Sequence, residues 1–334
     1  MLMLMNEHVK SYYQGKTILI TGASGYIGWN IANHLVEIDC QIIRASRDTE
    51  KLEYIPGKAD LIGYEGDYQD DIMWDDLVSR ADVIFHLAGQ TSAYVAEKDP
   101  ENDYKANVVP MRRLLEAARK HKNNPVVVYA GTSTQCGIPE VSPVGEKVVD
   151  KPITFYDFHK LMAEDILKYY TQQGWARGVS LRLTNVFGPG PKSSNSDRGI
   201  LNLMIRKAMH GDDLKVYGSG DYLRDYVYIK DVVSVFTQVP CNADKAKGKH
   251  YLLGSGIGTS IKGAITSVAN IVSQNTGNTV SVVHVDPPTA LLPIEFRNFV
   301  ADTTSLMVDH SISIQYSLEK GIQETVEFLK KNSM

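Results

Sequence analysis

The stretch KTILITGASGYIGWNIANHLVE, residues 16–37, predicts the first strand, turn and helix of the fold. Thr17–Thr21 is short, β-branched and apolar, which is typical of a buried strand. A glycine-rich turn follows at once, and apolar residues then recur at helical spacing at Ile27, Ile31 and Leu35. A strand, a glycine turn and a helix in this order form a dinucleotide-binding unit.

The turn carries its glycines in the spacing GxxGxxG, at Gly22, Gly25 and Gly28. The first would allow the tight turn, the second would let backbone N–H groups approach a pyrophosphate, and the third would let the helix pack close to the strand. The helix N-terminus would add the positive end of its dipole. The first gap is one residue longer than in the common GxGxxG, and a plain tight turn is the alternative. The flanking strand and helix favour the nucleotide site.

Composition excludes several classes of protein. The chain has 334 residues, which suits one large domain or two smaller ones, and its 43% hydrophobic content is enough for a sizeable core. A net charge of −4 gives no basic surface for nucleic acid, and three sparse cysteines without metal-ligand spacing predict a reducing compartment and no metal site. The start, MLMLMNEHVK, lacks the basic region of a signal peptide, and no window approaches the ~20 apolar residues of a membrane span. We therefore expect a soluble, cytoplasmic protein with neither nucleic-acid nor membrane partners.

The second predicted strand, from Cys40 onwards, ends near the expected position of the adenosine ribose. An enzyme that selects NAD usually has an acidic residue there, whereas this chain has Ser46 with Arg44 and Arg47 around it. A carboxylate would repel a 2′-phosphate, and guanidinium groups pair with it in bidentate fashion. The pattern favours NADP(H). NAD(H) is the alternative if the arginines are merely solvated or if Asp48 is the residue in register.

Two further predicted strands end near this site. Asp67 follows the third strand and could accept a hydrogen bond from the adenine amino group, or it could serve a turn or a helix cap. His86 ends the apolar fourth strand, where a packed core histidine is more typical than a catalyst. The small-residue turn that follows, ending at Gly89, would let a cofactor lie against the backbone.

Apolar residues at helical spacing from Tyr104 to Ala118 predict an amphipathic helix, which Pro110 should kink or divide. The apolar run Val126–Ala130 predicts a fifth buried strand, and the polar segment from Gly131 onwards leaves its C-terminal end. Ligands of open α/β sheets bind at that end of the strands, so we expect this polar segment at the ligand site.

Tyr156 and Lys160 lie four residues apart in a predicted helix that Phe155 opens, and they therefore share one helix face. An ammonium beside a phenol favours the phenolate and lowers the tyrosine pKa. Such a tyrosine can exchange a proton with a substrate oxygen near neutral pH, and Thr132 could donate a second hydrogen bond to that oxygen. The YxxxK spacing alone is weak evidence. It becomes strong after a glycine-loop α/β half and a threonine at a strand end.

These motifs resemble the extended short-chain dehydrogenase/reductase family, of the NAD-dependent epimerase/dehydratase type that works on nucleotide sugars. The resemblance runs from about Lys16 to near the C-terminus. The chain departs from the family at Cys136, where the family often has tyrosine before the glycine. The residues that carry the resemblance are Gly22–Gly28, Asp67, His86–Gly89, Asn107, Val108, Thr132, Gly137, Tyr156, Lys160, the RxxNVxGP-like Arg182–Pro189 and the RDYxxVxD-like Arg224–Asp231.

The resemblance implies a Rossmann-like, doubly wound parallel sheet with a second, smaller α/β substrate lobe. Residues 1–184 and about 225–253 would form the dinucleotide-binding domain. Residues 185–224 and about 254–334 would form the nucleotide-sugar-binding lobe. It also implies a homodimer through the helices near Tyr104–His121 and Tyr156–Gln172.

The residue patterns and the resemblance together predict a set of site residues. Thr132, Tyr156 and Lys160 would be catalytic, and Lys160 would also hold the nicotinamide ribose. Arg224 and Arg297 would bind the diphosphate, unless each pairs with a nearby aspartate. The cofactor contacts would be Gly22, Ser24, Gly25, Tyr26, Ile27, Gly28, Arg44, Ser46, Arg47, Asp67, Tyr68, Leu87, Ala88, Gly89, Tyr156 and Lys160. The nucleotide-sugar contacts would be Thr132, Ser133, Thr134, Asn185, Arg224 and Arg297.

Family dehydratases usually carry Asp-Glu directly after the catalytic threonine, where this chain has Ser133 and Thr134. Hydroxyl groups cannot deprotonate C5 of a hexose, so dehydration is not expected. The arginines at the second strand favour an enzyme that consumes NADPH, and hence reduction of a nucleotide-diphospho-4-keto-6-deoxyhexose at C4. Epimerisation with tightly bound NAD(P) is the alternative. A non-catalytic NADP-binding sensor is a more distant one, because the chain keeps both Tyr156 and Lys160.

Overall fold

A computed structural model describes residues 6–191, 199–287 and 290–332. Residues 1–5, part of the segment that argues against a signal peptide, lie outside the described residues. The strands are β1 Thr17–Thr21, β2 Gln41–Ser46, β3 Asp60–Glu65, β4 Val83–His86, β5 Val126–Thr132, β6 Arg177–Leu183, β7 Asn185–Phe187, β8 Leu214–Tyr217, β9 Leu223–Tyr228, β10 His250–Leu253, β11 Gly258–Ser260 and β12 Val282–Val285.

The helices follow the strands in the alternating order that the sequence predicts for an α/β fold. The α-helices are α1 Glu7–Tyr13, α2 Tyr26–Leu35, α3 Asp71–Arg80, α4 Ala93–Lys98, α5 Pro100–His121, α6 Phe155–Gln172, α7 Ile200–Met209, α8 Ile229–Gln238, α9 Ala243–Ala246, α10 Ile261–Thr276, α11 Thr304–His310 and α12 Leu318–Asn332. Short 3₁₀ helices cover Thr49–Lys51, Ser133–Cys136, Val239–Asn242 and Pro293–Phe296.

Seven parallel strands form the main sheet, in the order β10-β6-β5-β4-β1-β2-β3. The strand order reverses between β1 and β4, so the C-terminal ends of these two strands flank a topological switch point. Open α/β sheets bind their ligands at such a point. The arrangement confirms the predicted doubly wound, Rossmann-like sheet.

Side chains of the central strands alternate between two cores, one on each face of the sheet. In β1, Ile18 and Ile20 join the core that includes α2 and α8, whereas Leu19 joins the core that includes α3, α5 and α6. Val128 and Tyr129 of β5 divide in the same way. Strands buried on both faces carry continuous apolar runs, which is why their sequences were recognisable.

The close approach of α2 to β1 depends on glycine. Gly22 has φ of +65°, a backbone conformation that residues with a side chain rarely adopt. A Cβ on Gly28 would lie 2.6 Å from the carbonyl oxygen of Gly22, which is closer than carbon and oxygen can approach. The helix-packing role predicted for Gly28 is confirmed.

α5 runs without interruption through Pro110, so the predicted division of this helix at the proline does not occur. Asp99 caps the helix by accepting a hydrogen bond from the N–H of Asn102, and Pro100 occupies the first turn. The helix packs between α3 and α6. This tertiary packing outweighs the backbone hydrogen bond that a proline removes.

The C-terminal part of the chain adds two smaller sheets. β9 pairs with β7 in parallel and with β11 antiparallel, and β12 pairs in parallel with β8. α10 packs against both α7 and α12 beside these sheets. Residues 250–253 rejoin the main sheet as β10, whereas β9 pairs outside it. The domain boundaries stay a prediction.

Two features are absent from the residues that the structure describes. No helix there combines the length and apolar character that a membrane crossing requires. The same ranges contain no group of three or more histidine, cysteine or acidic side chains that could hold a metal ion. Cys40, Cys136 and Cys241 are free thiols, and burial raises the pKa of each to about 11.

Candidate active site

The glycine turn between β1 and α2 lies at the switch point of the main sheet. The N–H of Gly22 donates to the hydroxyl of Tyr68 at 2.8 Å, and that hydroxyl donates to the carbonyl oxygen of Ala45 at 2.8 Å. Gly25 is the N-cap of α2, and no described side chain caps this end of the helix. The N–H groups of the first helical turn therefore suit an anion such as a pyrophosphate.

Side chains in the first turn of α2 are used structurally. The hydroxyl of Tyr26 donates to the carbonyl oxygen of Gly188 at 2.9 Å, which ties α2 to the segment after β7. Ile27 packs against the core on the α2 side of the sheet. Both side chains therefore have partners within the fold, and their cofactor contacts stay a prediction.

The end of β2 lies beside the glycine turn. Ser46 Oγ is 3.0 Å from Ser24 Oγ. Arg47 is exposed, whereas Arg44 is buried and donates from Nη1 to the carbonyl oxygen of Glu53 at 2.7 Å. The structure therefore brings the two serines together, gives Arg44 a partner within its own chain and leaves the Arg47 side chain exposed.

The turn after β4 also approaches the glycine turn. Thr21 Oγ1 accepts hydrogen bonds from the N–H groups of Leu87 and Ala88, at 3.0 and 3.1 Å. A Cβ on Gly22 would lie 3.0 Å from the backbone nitrogen of Ala88. Gly89 is exposed at the end of this turn. The predicted small-residue surface is therefore in place beside the switch point.

Asp67 and His86 make structural contacts. Asp67 is exposed, and its Oδ1 accepts from the N–H of Gln69 at 2.9 Å, which is a turn contact. His86 is fully buried with Nδ1 3.1 Å from Thr21 Oγ1, which confirms a packed core histidine. Burial, and then the charge of Lys160, lowers the pKa of His86 to about 3, so the ring is neutral at neutral pH. The adenine contact of Asp67 stays a prediction.

The three predicted catalytic residues lie on two elements that pack together. Thr132 is the last residue of β5, and Tyr156 and Lys160 lie in the first turns of α6. Lys160 is buried, and its Nζ lies 4.3 Å from the ring centroid of Tyr129. Burial, and then the neighbouring Tyr156, raises the pKa of Tyr129 well above its usual value. The predicted catalytic pair of α6 therefore adjoins the strand that ends in Thr132.

Thr132 begins a short 3₁₀ helix. Its Oγ1 accepts from the N–H of Thr134 at 3.3 Å and lies 2.9 Å from Thr134 Oγ1. Of the two predicted substrate contacts that follow it, Ser133 is buried and Thr134 is half-buried. Asp157, next to Thr134, is also buried, and burial raises its pKa. Asp157 was not among the predicted site residues, although its position directly after the tyrosine of YxxxK was a signal.

The two predicted phosphate arginines are buried next to each other. Arg224, in β9, donates to the carbonyl oxygens of Leu223 at 3.1 Å, of Glu295 at 2.7 Å and of Arg297. Arg297 donates from Nη1 to the carbonyl oxygen of Ile294 at 2.8 Å, and its Nε has no partner among the described residues. Burial, and then the charge of Arg224, lowers the pKa of Arg297 to about 10.

Acidic groups offset the positive charge of this pair only in part, although the charges of Glu295 and Asp157 both act on Arg297. Among the described residues, the only carboxylate within 4 Å of either guanidinium is that of Glu295, 3.6 Å from Arg224 Nη2. Asp225, the neighbouring acid, instead accepts from the backbone N–H groups at positions 255, 256 and 301. Asn185 Nδ2 donates to the carbonyl oxygen of Asp225 at 3.0 Å, which places it beside β9. Such a pair of buried cations would be stabilised by an anion.

A buried network behind α6 was not predicted. Asp103 of α5 accepts from Gln90 Nε2 at 2.7 Å and from Asn107 Nδ2 at 3.0 Å, and its Oδ2 lies 2.7 Å from His159 Nδ1. It links the turn after β4 to α6. The histidine inside YxxxK was the available signal, but its partner lies 56 residues away in the chain.

A family model described as the NAD dependent epimerase/dehydratase family matches residues 18–254, well over half of the chain. The chain belongs to this family. It is 27% identical over 333 residues to a UDP-glucose 4-epimerase of Mycolicibacterium smegmatis, covering 94% of this chain and 99% of that one. It is also 27% identical over 328 residues to a UDP-N-acetyl-alpha-D-glucosaminuronate decarboxylase of Bacillus cytotoxicus, covering 95% and 98%.

Solved structures show the same fold. UDP-glucose 4-epimerase of Thermotoga maritima, determined with UDP-glucose, superposes with a TM-score of 0.83 at 25% identity, covering 95% of this chain and 100% of that one. RMD from Pseudomonas aeruginosa, complexed with NADPH, superposes with a TM-score of 0.76 at 20% identity, covering 95% and 99%.

Members of the epimerase/dehydratase family are NAD(P)-dependent oxidoreductases and epimerases of the extended short-chain dehydrogenase/reductase type. The predicted resemblance and the predicted enzyme class are therefore confirmed. The match to the family model spans every predicted catalytic and cofactor residue, whereas Arg297 lies beyond it.

Tyr156→Phe removes the phenol that would exchange a proton with the substrate. We expect turnover to fall roughly 10²–10⁴-fold, the usual contribution of a general acid or base, while cofactor affinity changes little. Steady-state kinetics on any sugar nucleotide that the wild type converts, together with a cofactor titration, measures both. Tyr169→Phe, exposed on the same helix, is the matched control and should retain wild-type turnover. Near-normal turnover of a folded Tyr156→Phe protein would remove the assignment.

Proposed function

We propose that this protein is a nucleotide-sugar 4-epimerase, which inverts C4 of a hexose linked to a nucleoside diphosphate and keeps its nicotinamide cofactor bound. The observation that carries the proposal is the presence of two groups of side chains in one chain. The first is the pair Tyr156 and Lys160 beside Thr132 at the end of β5, and the second is the two adjacent buried guanidiniums of Arg224 and Arg297. The first group suits proton exchange with a sugar hydroxyl, and the second suits a diphosphate. Full-length similarity to a UDP-glucose 4-epimerase supports epimerisation above the reduction favoured from the second strand.

The residues at the switch point fit a dinucleotide. A Cβ on Gly25 would lie 3.0 Å from the carbonyl oxygen of Gly22, and a Cβ on Gly28 would lie 2.6 Å from the same oxygen. Only glycines at these positions therefore leave the turn compact and its backbone open to phosphates. Gly22–Gly28 would hold the pyrophosphate, and Lys160 would hold the nicotinamide ribose. A nicotinamide held there would supply the hydride acceptor and donor that exchange at C4 requires.

The residues of this chain would supply the matching proton chemistry. Tyr156 would accept the proton of the C4 hydroxyl as the C4–H bond breaks, which leaves a ketone, and would return that proton when the C4–H bond forms again on the opposite face. The buried ammonium of Lys160 would favour the phenolate. Thr132 would orient the C4 oxygen by donating a hydrogen bond. Both the hydride and the proton return to the sugar, so no reduced cofactor is consumed.

Reduction of a 4-keto-6-deoxyhexose with NADPH is the second candidate, and the end of β2 favours it. Ser46 stands beside Ser24 where an NAD-selecting enzyme would have a carboxylate, and the exposed Arg47 follows it. Since Arg44 is held by the Glu53 carbonyl oxygen, a preference for NADP(H) would depend mainly on Arg47. Tyr156 would then protonate the C4 oxygen, and each turnover would consume one reduced cofactor.

A substrate panel separates the candidates. UDP-, dTDP-, CDP- and GDP-linked hexoses and their 4-keto-6-deoxy derivatives would be incubated with the protein and NAD, NADH, NADP or NADPH. Epimerisation predicts inversion of the sugar by NMR with no net change at the reduced-nicotinamide absorbance band. Reduction predicts loss of that absorbance in proportion to alcohol formed. Cofactor binding with neither change would favour the non-catalytic sensor.

The buried arginine pair predicts an unusual stability result for Arg297→Met. Loss of a charge-assisted contact should weaken sugar-nucleotide binding roughly 10–100-fold and leave cofactor affinity unchanged. Because Arg297 Nε has no described partner and faces a like charge, the melting temperature without ligand should stay the same or rise.

Calorimetry and thermal unfolding measure these two effects of Arg297→Met. Arg177→Met is the matched control, because Arg177 begins β6 and so lies at the N-terminal end of that strand. This variant should bind the sugar nucleotide like the wild type. A variant that is destabilised yet binds the sugar nucleotide like the wild type would make Arg297 purely structural. Arg224→Ala should show the same selective loss of sugar-nucleotide affinity.

We also propose a homodimer through α5 and α6. These helices expose Tyr104 at 39%, Phe155 at 44%, Phe158 at 49% and Tyr169 at 54% of their surfaces, a set of aromatic side chains that a four-helix interface would bury. Sedimentation equilibrium should give twice the chain mass for the wild type, and Phe158→Glu should shift the protein toward the monomer. A monomeric wild type at micromolar concentration would contradict this proposal.

A further inference from the structure

One buried side chain, Gln135, joins the two elements that carry the proposed catalytic groups. Gln135 is fully buried in the 3₁₀ helix after β5. Its Oε1 accepts from the N–H of Thr132 at 2.8 Å, and its Nε2 donates to Oε2 of Glu164 at 3.0 Å. Thr132 ends β5, and Glu164 lies on α6 one turn beyond Lys160. The amide therefore ties the strand to the catalytic helix.

The ionisation of Glu164 determines which way the Gln135 amide faces. Burial opposes ionisation of Glu164, but the hydrogen bonds and charge of Arg182 outweigh it and hold the pKa of this carboxyl below its usual value. An ionised carboxylate only accepts hydrogen bonds. The NH₂ end of the amide must therefore face Glu164, which leaves the carbonyl end for the N–H of Thr132.

Neighbouring residues hold this tie in place. A Cβ on Gly131 would lie 2.9 Å from Gln135 Oε1, so glycine at this position leaves room for the amide. Arg182 of β6 donates to Glu164 from Nε at 3.0 Å and from Nη2 at 2.7 Å. Asp150 accepts from the other side of the same guanidinium at 2.6 and 2.7 Å. The anchor at the Glu164 end of the tie is thus itself held on both sides.

We propose that Gln135 is a positioning residue that sets the place of the Thr132 hydroxyl relative to Tyr156 and Lys160. The proposal rests on the proposed function, because it assumes that Thr132 and Tyr156 share a substrate oxygen. The hydroxyl of Thr132 hydrogen-bonds within its own turn, so its direction follows the backbone that Gln135 holds. Small displacements of reacting groups can cost up to about 10²-fold in rate.

Gln135→Met, compared with Ser180→Ala, tests the proposal. Methionine keeps the length of the side chain and removes both polar ends. Ser180 Oγ donates to the same Glu164 oxygen at 2.7 Å but lies on β6 rather than on the Thr132 turn, so its removal takes one hydrogen bond from Glu164 and leaves both the ion pair with Arg182 and the Thr132 turn in place. We expect kcat to fall about 10–100-fold in Gln135→Met, with KM and cofactor affinity within about threefold of wild type. Ser180→Ala should lose comparable thermal stability and keep its kcat.

Gln135→Glu adds a readout that a purely structural role would not change. A glutamate at position 135 can donate a hydrogen bond to Glu164 only when it carries a proton. Two buried carboxyl groups in contact share one proton, and they lose it as the pH rises. Its kcat should therefore rise, relative to wild type, as the pH is lowered. Should Gln135→Met not fold, this pH profile decides: a profile parallel to that of the wild type overturns the proposal.

The kinetics would use the member of the sugar-nucleotide panel that the wild type converts fastest. Unchanged kcat in Gln135→Met, or equal losses in Gln135→Met and Ser180→Ala, would overturn the positioning role while the proposed function stands. A wild type that converts no member of the panel would remove the proposed function and this inference with it.

Discussion

The ion pair between Arg182 of β6 and Glu164 of α6 is the interaction on which the ligand edge of the main sheet depends. Both side chains are almost inaccessible, with 1% and 0% of their surfaces exposed. Separating a buried pair of charges is costly, and each partner here keeps a further charged neighbour, Asp150 beside Arg182 and Lys168 beside Glu164. α6 therefore cannot slide along the sheet without unpairing a charge. Tyr156 and Lys160, in the preceding turns of the same helix, take their position from it.

A second pair of buried charges is arranged in the opposite way. Arg182 has two carboxylate partners within 2.7 Å, whereas Arg224 and Arg297 lie beside each other with one carboxylate at 3.6 Å. Compensated charges suit a structural role, since every donor is satisfied without a ligand. Undercompensated buried cations suit an anion site, since a ligand supplies the missing charge. This contrast separates the arginine that supports the fold from the two proposed to bind substrate.

Several predictions came from local patterns, and their outcomes differ with the range of the interaction. Gly28 and His86 were assigned correctly, because spacing and an apolar strand place them against immediate neighbours. Pro110 was predicted to kink or divide α5, and the division was wrong, because packing against α3 and α6 outweighs a local helix signal. Arg44 was predicted at the ribose phosphate, but the structure adds a partner, the Glu53 carbonyl oxygen, that no spacing rule indicates.

The sequence by itself determined the strand–glycine turn–helix unit, the parallel sheet and the shared helix of Tyr156 and Lys160, the pair proposed as catalytic. These features follow from periodicity and from residues close in the chain, which obey the geometry of a single strand or helix. Tertiary structure alone decided that Gln135 meets Glu164, 29 residues away, and that Arg224 meets Arg297, 73 residues away. Such pairs form only when separate elements pack, because burial removes water as the competing hydrogen-bond partner and makes each buried polar group select a partner in space.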